Sequence, residues 1–117
     1  MQFDHEKLDV YRVAIDFVAL ADNVVEQMPR GRAYLADQLQ RAATSVPLNI
    51  AEGAGEFSPK EKARFYRMAK RSATECAAIL DVGRRLGILA TEPYDAGREL
   101  LIRTVSMLIA MARRSSD

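Results

Sequence analysis

A proline interrupts a regular helical pattern near the middle of the chain, and this restricts the fold more than any other feature. Apolar residues recur at three- and four-residue steps through Leu35, Val46 and Ile50, which is the spacing of an amphipathic helix. Pro47 lies inside this pattern and has no N–H to donate to the Ala43 carbonyl, a loss that costs about 3 kcal/mol in a helix interior. Because the apolar stripe continues past the proline, the sequence predicts one kinked helix rather than two.

Three further segments have the same helical periodicity. Serine and proline residues mark helix starts and glycine residues mark ends, as at Ser58-Pro59 and at Gly87. Gly53 and Gly55 are expected to end the second helix in left-handed backbone geometry. The predicted helices cover about residues 9–28, 32–52, 58–86 and 91–113.

The connections between these helices are short. Helices of this length with short connections predict an all-α fold, an antiparallel up-down four-helix bundle with a proline-kinked second helix. We interpret residues 1–117 as a single domain, with a flexible lead-in over residues 1–7 and a flexible tail over residues 114–117.

The first and fourth helices carry more apolar surface than one helix needs for its own core. On the first helix two apolar stripes merge into an arc of roughly 200°. We therefore predict that the surplus forms the interface of a homo-oligomer. The alternative is that both helices are deeply buried in a tight bundle. The predicted interface residues are Val10, Val13, Phe17, Leu20, Val24, Leu100, Met107 and Met111.

The composition argues against most kinds of chemistry. Cys76 and His5 are the only cysteine and histidine, so the sequence lacks a disulfide pair, a cysteine metal cluster and the Glu-x-x-His pairs of a bundle di-metal site. No glycine-rich phosphate loop is present. We predict no catalytic residue, no metal, no cofactor and no enzymatic activity. No apolar run is long enough for a membrane span, and the polar N-terminus is unlike a secretory signal, so we expect a cytoplasmic protein with no membrane partner.

Basic residues form a stripe on the predicted third helix. Lys60, Arg64, Arg67 and Arg71 follow one another at steps of 4, 3 and 4, and Lys70 extends the charge. Such a stripe could contact nucleic-acid phosphates without reading base sequence. The alternative is an ordinary solvated helix face. The formal net charge is only +1, so any nucleic-acid site must come from this local clustering.

Polar residues surround Pro47 and form a motif of their own. One interpretation makes them a functional polar site beside the kink. We favour a structural interpretation, in which Asn49 donates to backbone carbonyls around Pro47 and Glu52 pairs with an arginine or a helix terminus. The motif consists of Arg41, Ser45, Pro47, Asn49, Glu52 and Gly53.

Three motifs together resemble a known family. They are Leu8-Asp9-Val10-Tyr11, the string P-x-N-I-A-E-G at residues 47–53, and Arg64-Phe65-x-Arg67-x-Ala69. Over about residues 3–89 the chain resembles the four-helix-bundle family named after proteins encoded in 23S rRNA intervening sequences. That family is related to the accessory subunit of diversity-generating retroelement reverse transcriptases. Arg71 and the near-neutral net charge depart from the family pattern.

The resemblance implies a ring-like homo-oligomer, a pentamer, with no known catalytic activity. It also implies structured RNA and a reverse transcriptase or ribosomal protein as partners. Two functions follow as hypotheses. The basic stripe favours an RNA-associated accessory protein, whereas the net charge of +1 favours a protein–protein interaction scaffold with no nucleic-acid role.

Overall fold

The four predicted helices are all present in the computed structural model, which describes residues 1–116. A short 3₁₀ helix, Asp4–Lys7, precedes them, and no strand occurs within the described residues. Each helix packs against two others, α1 and α3 both lying between α2 and α4. The connections 27–32, 56–58 and 86–90 are too short to return the chain to its starting end, so consecutive helices run antiparallel. The helices are α1 (Asp9–Glu26), α2 (Ala33–Gly55), α3 (Pro59–Arg85) and α4 (Thr91–Ser116).

The stripe on α1 that we assigned to an oligomer interface lies in the core of the bundle. Val10, Val13, Phe17 and Val24 each expose 5% of their surface or less. Side chains that are already buried within one chain cannot contact a second copy, so this part of the prediction was wrong. Helical periodicity gives the width of an apolar arc but not the direction in which it faces. The other predicted interface residues pack against the same core and remain partly exposed: Leu20, Leu100, Met107 and Met111.

The second helix is continuous through Pro47, so the prediction of one helix rather than two is confirmed. It ends at Gly55, three residues beyond the predicted end. Neither Gly53 nor Gly55 adopts left-handed geometry, and that part of the prediction was wrong. Within the described residues, positive φ occurs only at Gly31 and Gly87, with values of 91° and 73°. Gly87 follows α3 and ends it as predicted.

Helix α4 contributes a buried polar residue that its apolar pattern concealed. Thr104 is fully buried, and its Oγ1 donates a hydrogen bond to the Leu100 carbonyl at 2.8 Å. The Thr104 hydroxyl is therefore satisfied within its own helix, and the methyl group of Thr104 packs as an apolar side chain would.

None of the helices in residues 1–116 has both the length and the apolar character that a membrane span requires.

Candidate nucleic-acid interface

All five predicted basic residues lie on the exposed side of α3. The start of this helix is set as predicted, because the Ser58 Oγ accepts a hydrogen bond from the Glu61 N–H at 3.3 Å and Pro59 occupies the first position. From that start, steps of three and four residues align side chains along the helix surface. The exposed basic residues are Lys60, Arg64, Arg67, Lys70 and Arg71.

Arg64 already has local partners. Its Nε donates to Glu61 Oε2 at 2.6 Å, and its guanidinium lies 4.5 Å from the centre of the Phe65 ring. The hydrogen bond to Glu61, together with the charge of that carboxylate, raises the pKa of Arg64. Both members of this pair are about half exposed, with side-chain exposures of 52% and 44%. Exposed ion pairs of this kind contribute little to stability, so a phosphate can compete with Glu61 for the guanidinium.

The remaining basic residues divide between the two sides of α3. Arg71 lines a groove of about 350 Å³ on the α2 side, together with the acidic Glu75. Arg67 and Lys70 instead line a cleft on the α4 side. The basic stripe therefore forms one exposed surface with a concave edge on each side. The edge towards α2 combines Arg71 with the acidic Glu75, whereas the edge towards α4 contains Arg67 and Lys70.

The cleft on the α4 side contains a cation that the sequence analysis missed. Arg113, in the last turns of α4, lines the same cleft as Arg67 and Lys70. Arg113 is distant from these two in the sequence, and only the antiparallel packing of α3 and α4 brings the three together. A pair of arginines near a helix C-terminus is the only local signal, and it is also typical of helix-dipole stabilisation. We name this site the α3–α4 cleft; it is lined by Tyr66, Arg67, Lys70, Leu108, Ile109, Ala112 and Arg113.

The polar motif of α2 forms a chain of hydrogen bonds that reaches α3. Asn49 Nδ2 donates to the Ser45 carbonyl and to Ser45 Oγ, both at 2.9 Å. Ser72 Oγ, on α3, donates to the same Ser45 Oγ at 2.9 Å. The amide of Asn49 therefore bonds a carbonyl near Pro47, but not the Ala43 carbonyl that the proline leaves without its usual donor. These contacts link the two helices around the proline.

The rest of the motif borders a groove along the exposed side of α2. Within residues 1–116 Glu52 forms no ion pair; its charge acts through space, as one of the smaller contributions that raise the pKa of Arg64. Of the two pairings that we predicted for Glu52, the ion pair with an arginine is thus not formed among these residues, and the pairing with a helix terminus stays a prediction. The groove has a volume of about 490 Å³ and is lined by Gln40, Arg41, Thr44, Ser45, Leu48, Asn49 and Glu52.

The single cysteine and the single histidine of the chain lie on different helices. Cys76 is fully buried, and burial raises the pKa of its thiol to about 12, so the thiol stays protonated at neutral pH. His5 lies in the short 3₁₀ helix, with its ring 5.7 Å from that of Phe3 and 4.6 Å from that of Tyr11. Nowhere in residues 1–116 do three or more His, Cys, Asp or Glu side chains group as metal ligands would.

Comparisons with known proteins agree on the fold. A family model described as 23S rRNA-intervening sequence protein matches residues 6–110. The chain is also similar to the crystal structure of a protein with unknown function from the S23 ribosomal protein family from Bacteroides thetaiotaomicron VPI-5482. The two share 19% sequence identity with a TM-score of 0.81, over 88% of this chain and 97% of that chain. At this identity the likeness shows the fold alone. No curated protein matches the chain.

Proposed function

Because the chain belongs to the 23S rRNA-intervening sequence protein family, we propose that it is a non-enzymatic, RNA-associated protein that contacts phosphates through the exposed side of α3. One observation carries this proposal: five basic side chains, from Lys60 to Arg71, lie exposed on a single helix. Contacts of this kind hold a nucleic-acid backbone without reading its bases. The family resemblance adds a reverse transcriptase or a ribosomal protein as the partner.

Local charge, rather than total charge, supports the proposal. The chain has 17 Lys+Arg against 16 Asp+Glu, so its long-range field is weak. At a Debye length of about 8 to 10 Å in physiological salt, however, a bound phosphate senses mainly the nearest side chains. The exposed residues Arg67, Lys70 and Arg71 are nearly consecutive in the sequence, and copies of this surface around a ring would form a basic belt.

The test is the salt dependence of RNA binding. We expect the affinity for a structured RNA hairpin to fall steeply between about 50 and 200 mM salt, with a log–log slope that reflects the number of phosphates contacted. The double variant Arg64→Ala/Arg67→Ala should make this slope shallower by about one to two. Fluorescence anisotropy measures the affinity, and circular dichroism confirms that each variant is folded.

The matched control removes the same two charges elsewhere. Arg30 lies in the α1–α2 connection and Arg103 on the exposed side of α4. The double variant Arg30→Ala/Arg103→Ala should keep the wild-type slope. An unchanged slope in the α3 variant, or equal slopes in both variants, would overturn the assignment to α3.

We extend the proposal to a ring-like homo-oligomer, with five copies as the family resemblance implies. In support, the partly exposed apolar residues Leu20, Leu100, Met107 and Met111 leave surface that a second copy could cover. Light scattering should give a mass about five times the 13.0 kDa of one chain. A stable 13 kDa species in dilute solution would contradict it.

We also propose that Pro47 bends α2, and a straight α2 in an experimental structure would disprove this bend.

A second candidate function is a protein–protein interaction scaffold with no nucleic-acid role. The observation that favours it is a set of large apolar side chains that face solvent, including Leu48 and Ile102, with 59% and 53% of their surfaces exposed. Leu48 lies in the groove on α2, where a partner helix could cover it. Absence of hairpin binding at the lowest salt concentration would favour this function over RNA association.

A further inference from the structure

The α3–α4 cleft differs from the rest of the basic surface because it combines cations with an apolar floor. Arg67 and Lys70 approach from α3, and Arg113 approaches from α4. Beneath them Leu108 is fully buried and Ile109 is partly exposed. The cleft has a volume of about 270 Å³. A convex, solvated helix face has neither this floor nor this concavity.

The charged residues that line the cleft, within the part of the chain that the structure describes, have one sign. Within residues 1–116 no carboxylate lines it. In a concave site with low-dielectric walls, charges of one sign concentrate the field and attract a counter-ion. An anion is therefore attracted to Lys70 and Arg113 at the α3–α4 cleft.

The positive charge around the cleft also acts on Tyr66, a buried residue of the cleft wall. Burial raises the pKa of the Tyr66 phenol, and the positive charge of Arg114 acts against this shift. Arg114 therefore adds a fourth positive charge near the cleft without lining it. The phenol remains a neutral group at physiological pH, so it adds no negative charge to oppose an anion.

The floor indicates what kind of anion fits. Inorganic phosphate is small and strongly hydrated, and it gains nothing from the apolar surface of Ile109. A phosphate attached to a flat, weakly polar body gains from both parts of the cleft. In single-stranded nucleic acids an unstacked base can lie against apolar or guanidinium surfaces while its phosphate contacts cations. The volume of about 270 Å³ lies just below the usual range of small-molecule sites, which begins at about 300 Å³, so the cleft has room for one nucleotide at most and not for a duplex segment.

We infer that the α3–α4 cleft binds a single unpaired nucleotide of the RNA, with its phosphate on Lys70 and Arg113 and its base against Ile109. This inference rests on the proposed function and refines it: the exposed side of α3 holds the RNA backbone, and the cleft takes one base out of the strand. The protein then prefers single-stranded or bulged RNA to a fully paired duplex that carries the same number of phosphates.

The test compares an adenosine heptamer RNA with a fully paired, GC-rich RNA duplex, with each affinity expressed per phosphate group. Wild type should bind the heptamer more tightly. Ile109→Asn should weaken heptamer binding about fivefold or more, as expected for the loss of one base contact, and should leave the salt slope unchanged. Arg113→Ala should instead make the slope shallower by about 0.7, because it removes one phosphate contact to a single strand.

Ile102→Asn is the matched control, since Ile102 lies on the same helix, is 53% exposed and does not line the cleft. It should bind the heptamer as wild type does. Methyl NMR of the wild-type protein provides a measurement that needs no variant. The heptamer should shift the Ile109 methyl resonances and leave those of Ile102 in place, whereas inorganic phosphate alone should shift neither.

The results separate the two proposals. If Ile109→Asn binds the heptamer as tightly as Ile102→Asn, or if the heptamer leaves the Ile109 methyl resonances unmoved, the nucleotide site is disproved. Equal affinity of wild type for heptamer and duplex disproves it as well. In these cases a shallower salt slope in Arg64→Ala/Arg67→Ala would still support phosphate contacts along α3. Absence of binding to any RNA would disprove both.

Discussion

Replacement of Phe17 by alanine is expected to lower the free energy of unfolding by about 3 to 5 kcal/mol, the usual cost of deleting a large buried aromatic side chain. Phe17 exposes only 1% of its surface. Its ring approaches α4 at Gly97, where an added Cβ would lie 3.5 Å from Phe17 Cε1. The helices are therefore close enough at this point that a cavity left by the ring cannot easily collapse. Urea denaturation followed by circular dichroism measures the loss.

Ile15→Ala, on the same helix, is the control, because 42% of Ile15 is exposed. We expect it to cost well under half as much as Phe17→Ala. Both variants should be measured at two protein concentrations about tenfold apart, since the stability of an interface between copies depends on concentration whereas that of a core does not. If Phe17→Ala costs no more than Ile15→Ala, or if its cost changes with concentration, Phe17 belongs to an interface and the core assignment fails.

Gly53→Ala is expected to destabilise the protein by about 1 to 3 kcal/mol, the usual cost of overpacking. A Cβ at Gly53 would lie 2.7 Å from Tyr66 Cε1 and 3.0 Å from the Phe65 Cβ. Tyr66 is 5% exposed, so a shift of its ring would disturb the residues packed around it. Glycine therefore allows α2 and α3 to approach each other closely at this point. Thermal or urea unfolding of the variant measures the effect.

Gly55 provides a matched control two residues away in the same helix. A Cβ at Gly55 would meet no atom within 4 Å, and its φ is not positive. Gly55→Ala should leave stability unchanged or raise it by up to about 1 kcal/mol, because alanine loses less backbone entropy in a helix. Equal stability of the two variants would show that the Tyr66 ring can move aside without an energetic cost. Close approach of α2 and α3 would then no longer explain why position 53 is a glycine.

The two α3 surfaces suggest how the helix serves both packing and binding. Its buried side presents small residues such as Ala69 and Ala73, both fully buried, which allow neighbouring helices to approach. Its exposed side presents long basic side chains between those neighbours. Because α2 and α4 lie close to α3 on either side, the basic side chains border concave edges and do not project from an isolated ridge. Close packing at Gly53 and Ala69 thus shapes the surface that we propose contacts RNA.

Much of the fold could be predicted because its signals are local. The cap at Ser58, the proline at position 59 and the stop at Gly87 act through backbone geometry within a few residues, and all three are present where the sequence indicated. The basic residues on α3 were predictable for the same reason, since helical spacing alone places them on one side. The motif residues Ser45 and Asn49 were identified, but their connection to Ser72 of α3 was not.

By itself the sequence determined that there are four helices and about where each begins, that one helix continues through Pro47, and which residues of each helix are apolar. Only the tertiary structure decided which way the apolar arc of α1 faces, why Gly53 is a glycine, and that Arg113 joins Arg67 and Lys70 at one cleft. The physical reason is how far apart in the sequence the interacting residues lie. Periodicity and capping depend on neighbours along the chain, whereas burial, close approach and a shared cleft depend on which helices pack together in space.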